Sequence, residues 1–349
     1  MSEISAGKLW AMRRLADEDG LFRMTALDQR PPIMGLIKEK TGAASAPDEQ
    51  VVAVKRVIAE ALAAHSSAVL VDPLWAYPFV APALSPRQGL ILTLEDHRFE
   101  ETPKGRKAHA IEGWSVAKIK RLGGDGVKVL AHYRPDAARE VVEHQRRFVR
   151  AVGEACRRFD IPFVFELLVY PLKATGGEPD YTEDPEKQPG LVIESVKAFA
   201  APEFGVDVFK LESPLPAASV PDPAEADEAE VARAQGLFDE LGRAAGRPWV
   251  MLSAGAGKDA FRRILHYAFK AGASGFLAGR AIWLEEAQAY PDLDAMRAAM
   301  RETSVAYLRE VSALAKKGAT PWHKHPCFGK KAPALRHAGL GFAKAYESL

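Results

Sequence analysis

Short apolar runs of strand length recur along this chain, each followed by a longer, more charged stretch with helical spacing of its apolar positions. Eight runs read as strands: Phe22–Asp28, Ala68–Asp72, Gly89–Leu94, Gly126–His132, Pro162–Leu168, Val206–Leu211, Trp249–Ser253 and Gly275–Gly279. Between them, Asp48–His65, Gly113–Leu122, Asp136–Phe159, Leu191–Ala200, Ala224–Ala245 and Gly257–Ala271 read as amphipathic helices with polar outer faces. The strands are near-continuous in Val, Leu and Phe and lack strict polar alternation, as strands of a parallel sheet buried on both faces do. The rhythm of strand then helix, repeated along the eight strands with one weak crossover, predicts an α/β fold, a single (β/α)8 TIM barrel.

One crossover is weak. Pro73–Gln88 is rich in proline and aromatics and accommodates a short helix at most, which keeps an open doubly wound sheet as the alternative architecture. After Ala281 the chain reads as helical to about Lys317 and then turns irregular through Thr320–Ala332, where Pro, His and Gly cluster. The expected organisation is a barrel over 8–310 and a C-terminal extension over 311–349 packed on it.

Composition narrows the partners. The 47 Lys and Arg nearly cancel the 46 Asp and Glu, so no whole-molecule field draws the chain toward nucleic acid or an anionic membrane, and a small molecule is the expected partner. Cys156 and Cys327 lie far apart without zinc-finger or CxxC spacing, which fits a reducing cytoplasm. No apolar leader opens the sequence, and no run is long enough for a membrane span. A homo-oligomer is compatible with all of this, dimers being the commonest.

In a barrel, reactive groups come from the C-terminal ends of the strands and the loops after them. Four charged residues interrupt otherwise apolar runs: Asp28, Lys128, Glu166 and Lys210. Alternation along each strand turns all four inward, where they converge. One reading is a buried ion-pair network that fills the barrel. The other is chemical: a lysine in low dielectric beside a second cation has its pKa lowered and attacks a carbonyl. Lys210, nearer the loop end of its strand, is the expected nucleophile and Lys128 the second cation. Glu166 is the expected proton carrier, its pKa raised by apolar surroundings. Ser253-Ala-Gly-Ala-Gly257, before the helix from Lys258, exposes backbone N–H groups at a helix N-terminus, and Gly279-Arg280 adds a cation after the eighth strand. Together they match the phosphate site built from the loops after strands seven and eight.

His323 and His325 lack a third ligand and read as a solvated loop, so no metal site is assigned. Cys156, Trp114, Trp249 and Trp283 read as core. Asp72 and Glu95-Asp96, at strand ends, are equally turn caps or substrate contacts. Asp28 with Glu166 as glycosidase carboxylates would leave two interior lysines without a task.

With these residues in place, the chain resembles the Schiff-base (class I) tagatose-bisphosphate aldolase family, which includes the sulfofructose-phosphate aldolases. The matching pieces are Ala26-Leu-Asp-Gln-Arg30, Leu70-Val-Asp-Pro73, Trp114-Ser-Val-Ala-Lys-Ile-Lys120, Val127-Lys128, Phe165-Glu166, Phe209-Lys210-Leu-Glu212, Leu252-Ser-Ala-Gly255 and Gly275-Phe-Leu-Ala-Gly-Arg-Ala-Ile-Trp283, in order over roughly residues 8–310. The resemblance implies that Lys210 forms an iminium with dihydroxyacetone phosphate without a metal or other cofactor. It implies that Glu166 moves protons, Asp28 orients substrate hydroxyls and Lys128 stabilises charged intermediates. It assigns substrate and phosphate binding to Gln29, Arg30, Ser253, Gly255, Gly279 and Arg280. Two loop segments depart from the sugar-bisphosphate pattern, His97–Arg106 and Ala131–Arg134, and the second anion, phosphate or sulfonate, is expected to be gripped there. A sulfonated sugar phosphate, a transaldolase-like transfer and a non-catalytic sugar-phosphate-binding barrel remain alternatives to cleavage of a ketose bisphosphate. The tail Pro321–Gly329 is a further departure, with no role assigned.

Overall fold

The computed structural model describes residues 3–172 and 189–346. Eight parallel strands close into a barrel: β1 (Phe22–Leu27), β2 (Ala68–Val71), β3 (Gly89–Thr93), β4 (Gly126–His132), β5 (Phe163–Leu168), β6 (Val208–Leu211), β7 (Trp249–Met251) and β8 (Gly275–Ala278). Closure rules out the open sheet: β8 pairs with β1 from Gly275 opposite Phe22 to Ala278 opposite Thr25. The helices around it include α1 (Ala6–Leu15), α2 (Pro31–Thr41), α3 (Asp48–Leu62), α4 (Val116–Arg121), α5 (Arg139–Arg158), α6 (Pro189–Phe199), α7 (Glu228–Ala245), α8 (Lys258–Lys270), α9 (Arg280–Ala287) and α10 (Val305–Gly318).

Three differences from the expected elements have local causes. β1, β7 and β8 each stop one or two residues early, so Asp28, Ser253 and Gly279 lie in the loops just past the strand ends. Helix α2 was not expected. Pro31 and Pro32 occupy its first turn, where a missing N–H costs nothing, and Gly42 ends it in the left-handed conformation at φ 69°. Helix α1 was not expected either, and it plugs the barrel floor. In the second crossover the proline-rich stretch holds the short helix Tyr77–Val80 and a single 3-10 turn.

Two apolar layers follow from strand alternation. Residues facing outward, such as Leu27, Val69, Val129, Phe165 and Phe209, pack against the helices. Those facing inward, Met24, Ala26, Leu70, Ile91, Val164, Val208, Val250 and Leu277, fill the lower barrel together with Met12 and Leu15 of α1 and Trp322 of the tail. Each buried Val, Leu, Ile and Met among them contributes roughly 1.5–3 kcal/mol. The same inward parity continues upward to Asp28, Lys128, Glu166 and Lys210, above the apolar floor. The tail runs beneath the N-terminal strand ends: Thr320 N donates to Ala273 O at 2.9 Å and Trp322 N to Gly20 O at 2.9 Å. Ala334–Leu335 then pairs in parallel with Glu3–Ile4.

The β8–β1 seam depends on a missing side chain. Gly275 has φ 143°, and a Cβ there would collide with the backbone carbonyl of Phe22. Gly275→Ala is expected to destabilise the fold by about 1–3 kcal/mol or more, through overpacking and strain, read from urea denaturation; a stability equal to wild type would show that the seam tolerates a wider spacing.

Candidate active site

At the C-terminal ends of the strands, the four interior charges meet as their parity dictates, and a fifth joins them. Lys128 Nζ lies 2.7 Å from Asp28 Oδ2, 2.7 Å from Glu95 Oε1 and 2.8 Å from Glu166 Oε2. Lys210 Nζ lies 2.9 Å from that same Glu166 Oε2. Arg30 approaches Glu95 Oε1 at 3.7 Å. Three carboxylates thus face three cations, all of them buried, and their mutual attraction offsets a desolvation cost of several kcal/mol per ion.

One expected pKa direction, that of Glu166, is corrected by this arrangement. Burial alone would lower the Lys128 pKa, but Asp28, Glu166 and Glu95 outweigh it and hold the ammonium well above its ordinary value. Lys128 is therefore a fixed cation. Burial would likewise raise Glu166, yet Lys128 and Lys210 pull it below the usual carboxylate value. The expectation for Glu166 considered its apolar neighbours and not the ammonium on each side of it. Asp28 is also held below its ordinary value: burial opposes ionisation, and Lys128, Lys210 and Arg30 overcome it.

One cavity is lined by Asp28, Lys128, Glu166, Lys210, Gln29, Arg30 and Arg280, with Glu95 among them. Ser253, Gly255 and Gly279 do not line it directly but shape its edge. Ala254 and Gly255 have φ 49° and 84°, a tight turn that a side chain at 254 adopts only under strain. A Cβ on Gly255 would lie 3.2 Å from the Arg280 guanidinium, and one on Gly279 would lie 2.6 Å from Gln29 Nε2 and 2.7 Å from Ala26 O. Bare backbone at both positions lets Arg280 and Gln29 lie flat against the turns. The Trp283 indole donates to Ala26 O at 3.1 Å and fixes α9 to β1. The turn ends at the N-terminus of α8, which favours an anion.

On the opposite wall, Glu100–Thr102 and Gly105–Lys107 form a hairpin. His97, Phe99 and His132 reach the cavity. His132 packs against Phe99 with ring centroids 4.6 Å apart. Burial, then Arg106 and Lys128, keep His132 neutral, and burial with Arg30 pushes His97 down to about 4. Arg106 is tied to Glu101 at 3.2 Å and lies over the Phe99 and Tyr170 rings, while Arg134 pairs with Asp136 at 2.8 Å. Among the described residues of these two segments, the groups facing the cavity are neutral. The cation in this quarter is Arg30, whose Nε and Nη1 are buried without a partner among the described residues.

Sequence reasoning left Glu95 with two readings, and the structure makes it the third carboxylate on Lys128, its Oε2 buried without a partner among the described residues. It missed Lys55, which carries a charge on the apolar stripe of α3 between Val51 and Ile58; that position was the available signal. Asp72 is a turn cap, its Oδ1 accepting from Leu74 N at 2.9 Å and Trp75 N at 2.7 Å. Cys156, Trp249 and Trp283 are core, each with no exposure; Trp114 is half-buried, its indole donating to Thr93 O at 3.1 Å. His323 and His325 belong to 3-10 turns of the tail. Among the described residues no cluster of three or more His, Cys, Asp or Glu could hold a metal ion, and no helix is long and apolar enough to cross a membrane.

Removing the central cation isolates three buried carboxylates. Lys128→Met is expected to cost about 3–5 kcal/mol at pH 7, read from urea denaturation. Without the ammonium, the folded-state pKa values of the carboxylates rise above their unfolded values, so the deficit narrows as the pH is lowered toward 5 and the buried acids take up protons. A deficit that is small or flat with pH would show that Lys128 does not govern their ionisation.

The family model for DeoC/LacD family aldolases matches residues 24–285, which include every strand of the barrel but the first two residues of β1. A tagatose 1,6-diphosphate aldolase of Listeria monocytogenes serotype 4a is 32% identical over 334 residues, spanning 92% of this chain and 95% of its own. Tagatose 1,6-diphosphate aldolase 2 of Streptococcus agalactiae serotype III is 31% identical over 317 residues, 89% of this chain and 96% of its own. Among solved structures, a Schiff-base-forming fructose-1,6-bisphosphate aldolase superposes with a TM-score of 0.54 at 16% identity, covering 88% of this chain and 99% of that one. Fructose-bisphosphate aldolase from Plasmodium falciparum gives 0.60 at 11% identity, covering 91% and 97%; these two likenesses concern the barrel fold. With a family match across the barrel and relatives above 30% identity over nearly their whole length, the chain belongs to the DeoC/LacD aldolase family.

Proposed function

We propose that this protein is a class I aldolase that cleaves a ketose bisphosphate, tagatose 1,6-bisphosphate or a close relative, into dihydroxyacetone phosphate and glyceraldehyde 3-phosphate. The observation that carries the reading is the unequal setting of two buried lysines around one carboxylate. Lys128 has three carboxylates around its ammonium and is held protonated. Lys210 has Glu166 at 2.9 Å, a base placed to take the proton that must leave before an amine can attack.

The chemistry follows in order. The Lys210 amine adds to the C2 carbonyl of the open-chain ketose, and the carbinolamine loses water to give a protonated imine. The C4 hydroxyl gives up its proton, the C3–C4 bond breaks and its electrons pass into the iminium, leaving an enamine and the aldehyde. Protonation at C3 and addition of water then free dihydroxyacetone phosphate and return the amine. Glu166 carries the protons at the C2 oxygen and the nitrogen, takes the proton of the C4 hydroxyl and returns one to C3, and Lys128 stabilises the oxyanions that form beside it. Asp28 and Glu95, the latter with one open carboxylate oxygen, accept from the sugar hydroxyls. The phosphate of the dihydroxyacetone half is held at the Ser253–Gly255 turn, Gly279 and Arg280, and Gln29 lies against the backbone of Gly279. Arg30, with two open guanidinium nitrogens, receives the second anionic group.

Because the iminium is the electron sink, cleavage of tagatose 1,6-bisphosphate is expected to persist in EDTA. Lys210→Met is expected to abolish turnover, and Glu166→Gln to lower kcat by about 100- to 10,000-fold. Steady-state assays coupled to triose phosphate formation measure all three. Activity in Lys210→Met, or its loss in EDTA with recovery on adding a divalent metal, would contradict the reading.

A further inference from the structure

Outside the cavity, one fully buried charge has no part in the reaction described above. Lys55 sits on α3 with no exposure, in a helix face otherwise made of Val51, Val54, Ile58 and Leu62. Its ammonium donates to Leu27 O at 2.5 Å, to Gln29 O at 2.8 Å and to Asp72 Oδ2 at 2.7 Å. Asp72, also fully buried, is held in turn by the backbone N–H groups of Leu74 and Trp75. Neither Lys55 nor Asp72 lines the cavity.

The two carbonyls that Lys55 grips flank Asp28. β1 ends at Leu27 and α2 begins at Pro31, so Asp28, Gln29 and Arg30 form a three-residue bridge between strand and helix. Pro31 and Pro32 lack an N–H to anchor that bridge from the helix side. Yet its side chains face the cavity: Asp28 reaches Lys128, and Arg30 presents unpartnered guanidinium nitrogens. As a source of stability, a buried ammonium is a poor choice, because an apolar side chain of similar volume is commonly as good or better. As a positional device it is exacting, since its three donors point to three acceptors on two different strand ends.

We propose that Lys55, with Asp72, is a positioning residue that fixes the backbone on both sides of Asp28 and so sets where the Asp28 carboxylate and the Arg30 guanidinium meet the substrate. The inference rests on the aldolase reading above. Lys55 touches no reacting atom and acts through the Asp28–Arg30 bridge. Lys210 on β6 hydrogen-bonds to Glu166, and among the described residues not to that bridge. The step that suffers without Lys55 is the one that needs the substrate hydroxyls and second anion in register, where a misplacement of about 1 Å costs on the order of 100-fold.

The test compares Lys55→Met, Lys55→Arg and Asp72→Asn with wild type. Each is assayed for thermal unfolding, for borohydride trapping of dihydroxyacetone phosphate at Lys210, and for kcat and KM in cleavage of tagatose 1,6-bisphosphate. The expected result for Lys55→Met is a folded protein that traps dihydroxyacetone phosphate at close to the wild-type rate while kcat falls roughly 10- to 100-fold. Asp72→Asn, which keeps the two carbonyl bonds, is expected to lose less, and Lys55→Arg to recover part of the loss. Should Lys55→Met fail to fold, Asp72→Asn and Lys55→Arg are each expected to lower kcat while trapping stays close to the wild-type rate, and wild-type kcat in both would overturn the proposal. Wild-type kcat in a folded Lys55→Met would overturn the proposal, as would trapping and kcat falling together in every variant. Wild-type protein that forms no adduct at Lys210 would instead overturn the aldolase reading and, with it, this inference.

Discussion

The organisation of the catalytic face depends on one buried ammonium. Lys128 places a positive charge inside the barrel and draws Asp28 from just past β1, Glu95 from just past β3 and Glu166 from β5 to within 2.8 Å. Three carboxylates could not otherwise share a dry interior, since each would protonate or push its neighbours apart. With the cation in place Asp28 and Glu166 remain ionised, and Glu166 stays available to Lys210. The difference between the two lysines thus comes from the company each keeps, three acids in one case and a shared one in the other.

The supporting layers give this cluster its rigidity. Below it, Val164, Val208, Val250 and Leu277 close the floor with α1 and Trp322. Above it, Leu130, Leu168 and Leu252 form an apolar collar that keeps water from the charges and strengthens their interaction. To one side, the glycines at 255 and 279 let Arg280 and Gln29 lie against the turns after β7 and β8. To the other, neutral His132 and Phe99 roof the cavity. Arg280 and Arg30 accordingly flank the charged centre, the placement proposed for the two anionic groups of the substrate.

Much of this was legible in the sequence, for physical reasons. A charge inside an apolar strand is costly, so Asp28, Lys128, Glu166 and Lys210 stood out, and period-two alternation was enough to predict that they meet. The parallel barrel followed from near-continuous apolar strands separated by amphipathic helices. What stayed hidden depends on distance across the fold. Glu95 sits past the end of β3, where an acid is as commonly a turn cap as a functional group, and its pairing with Lys128 is a contact between neighbouring strands. The pKa direction of Glu166 was not legible because it depends on how many opposite charges surround it, which spacing in one strand does not reveal. Lys55 was visible as a charge on an apolar helix face but was passed over because helices were read for their periodicity alone. The tail has no strong periodicity, and its docking rests on Trp322 and a two-residue strand pair.

The most direct test of the division between the two lysines is to reduce the protein with sodium borohydride in saturating dihydroxyacetone phosphate and map the adduct by peptide mass spectrometry. The account predicts a covalent triose phosphate on Lys210 and none on Lys128, whose ammonium is committed to Asp28, Glu95 and Glu166. An adduct on Lys128, or two unmodified lysines, would contradict it.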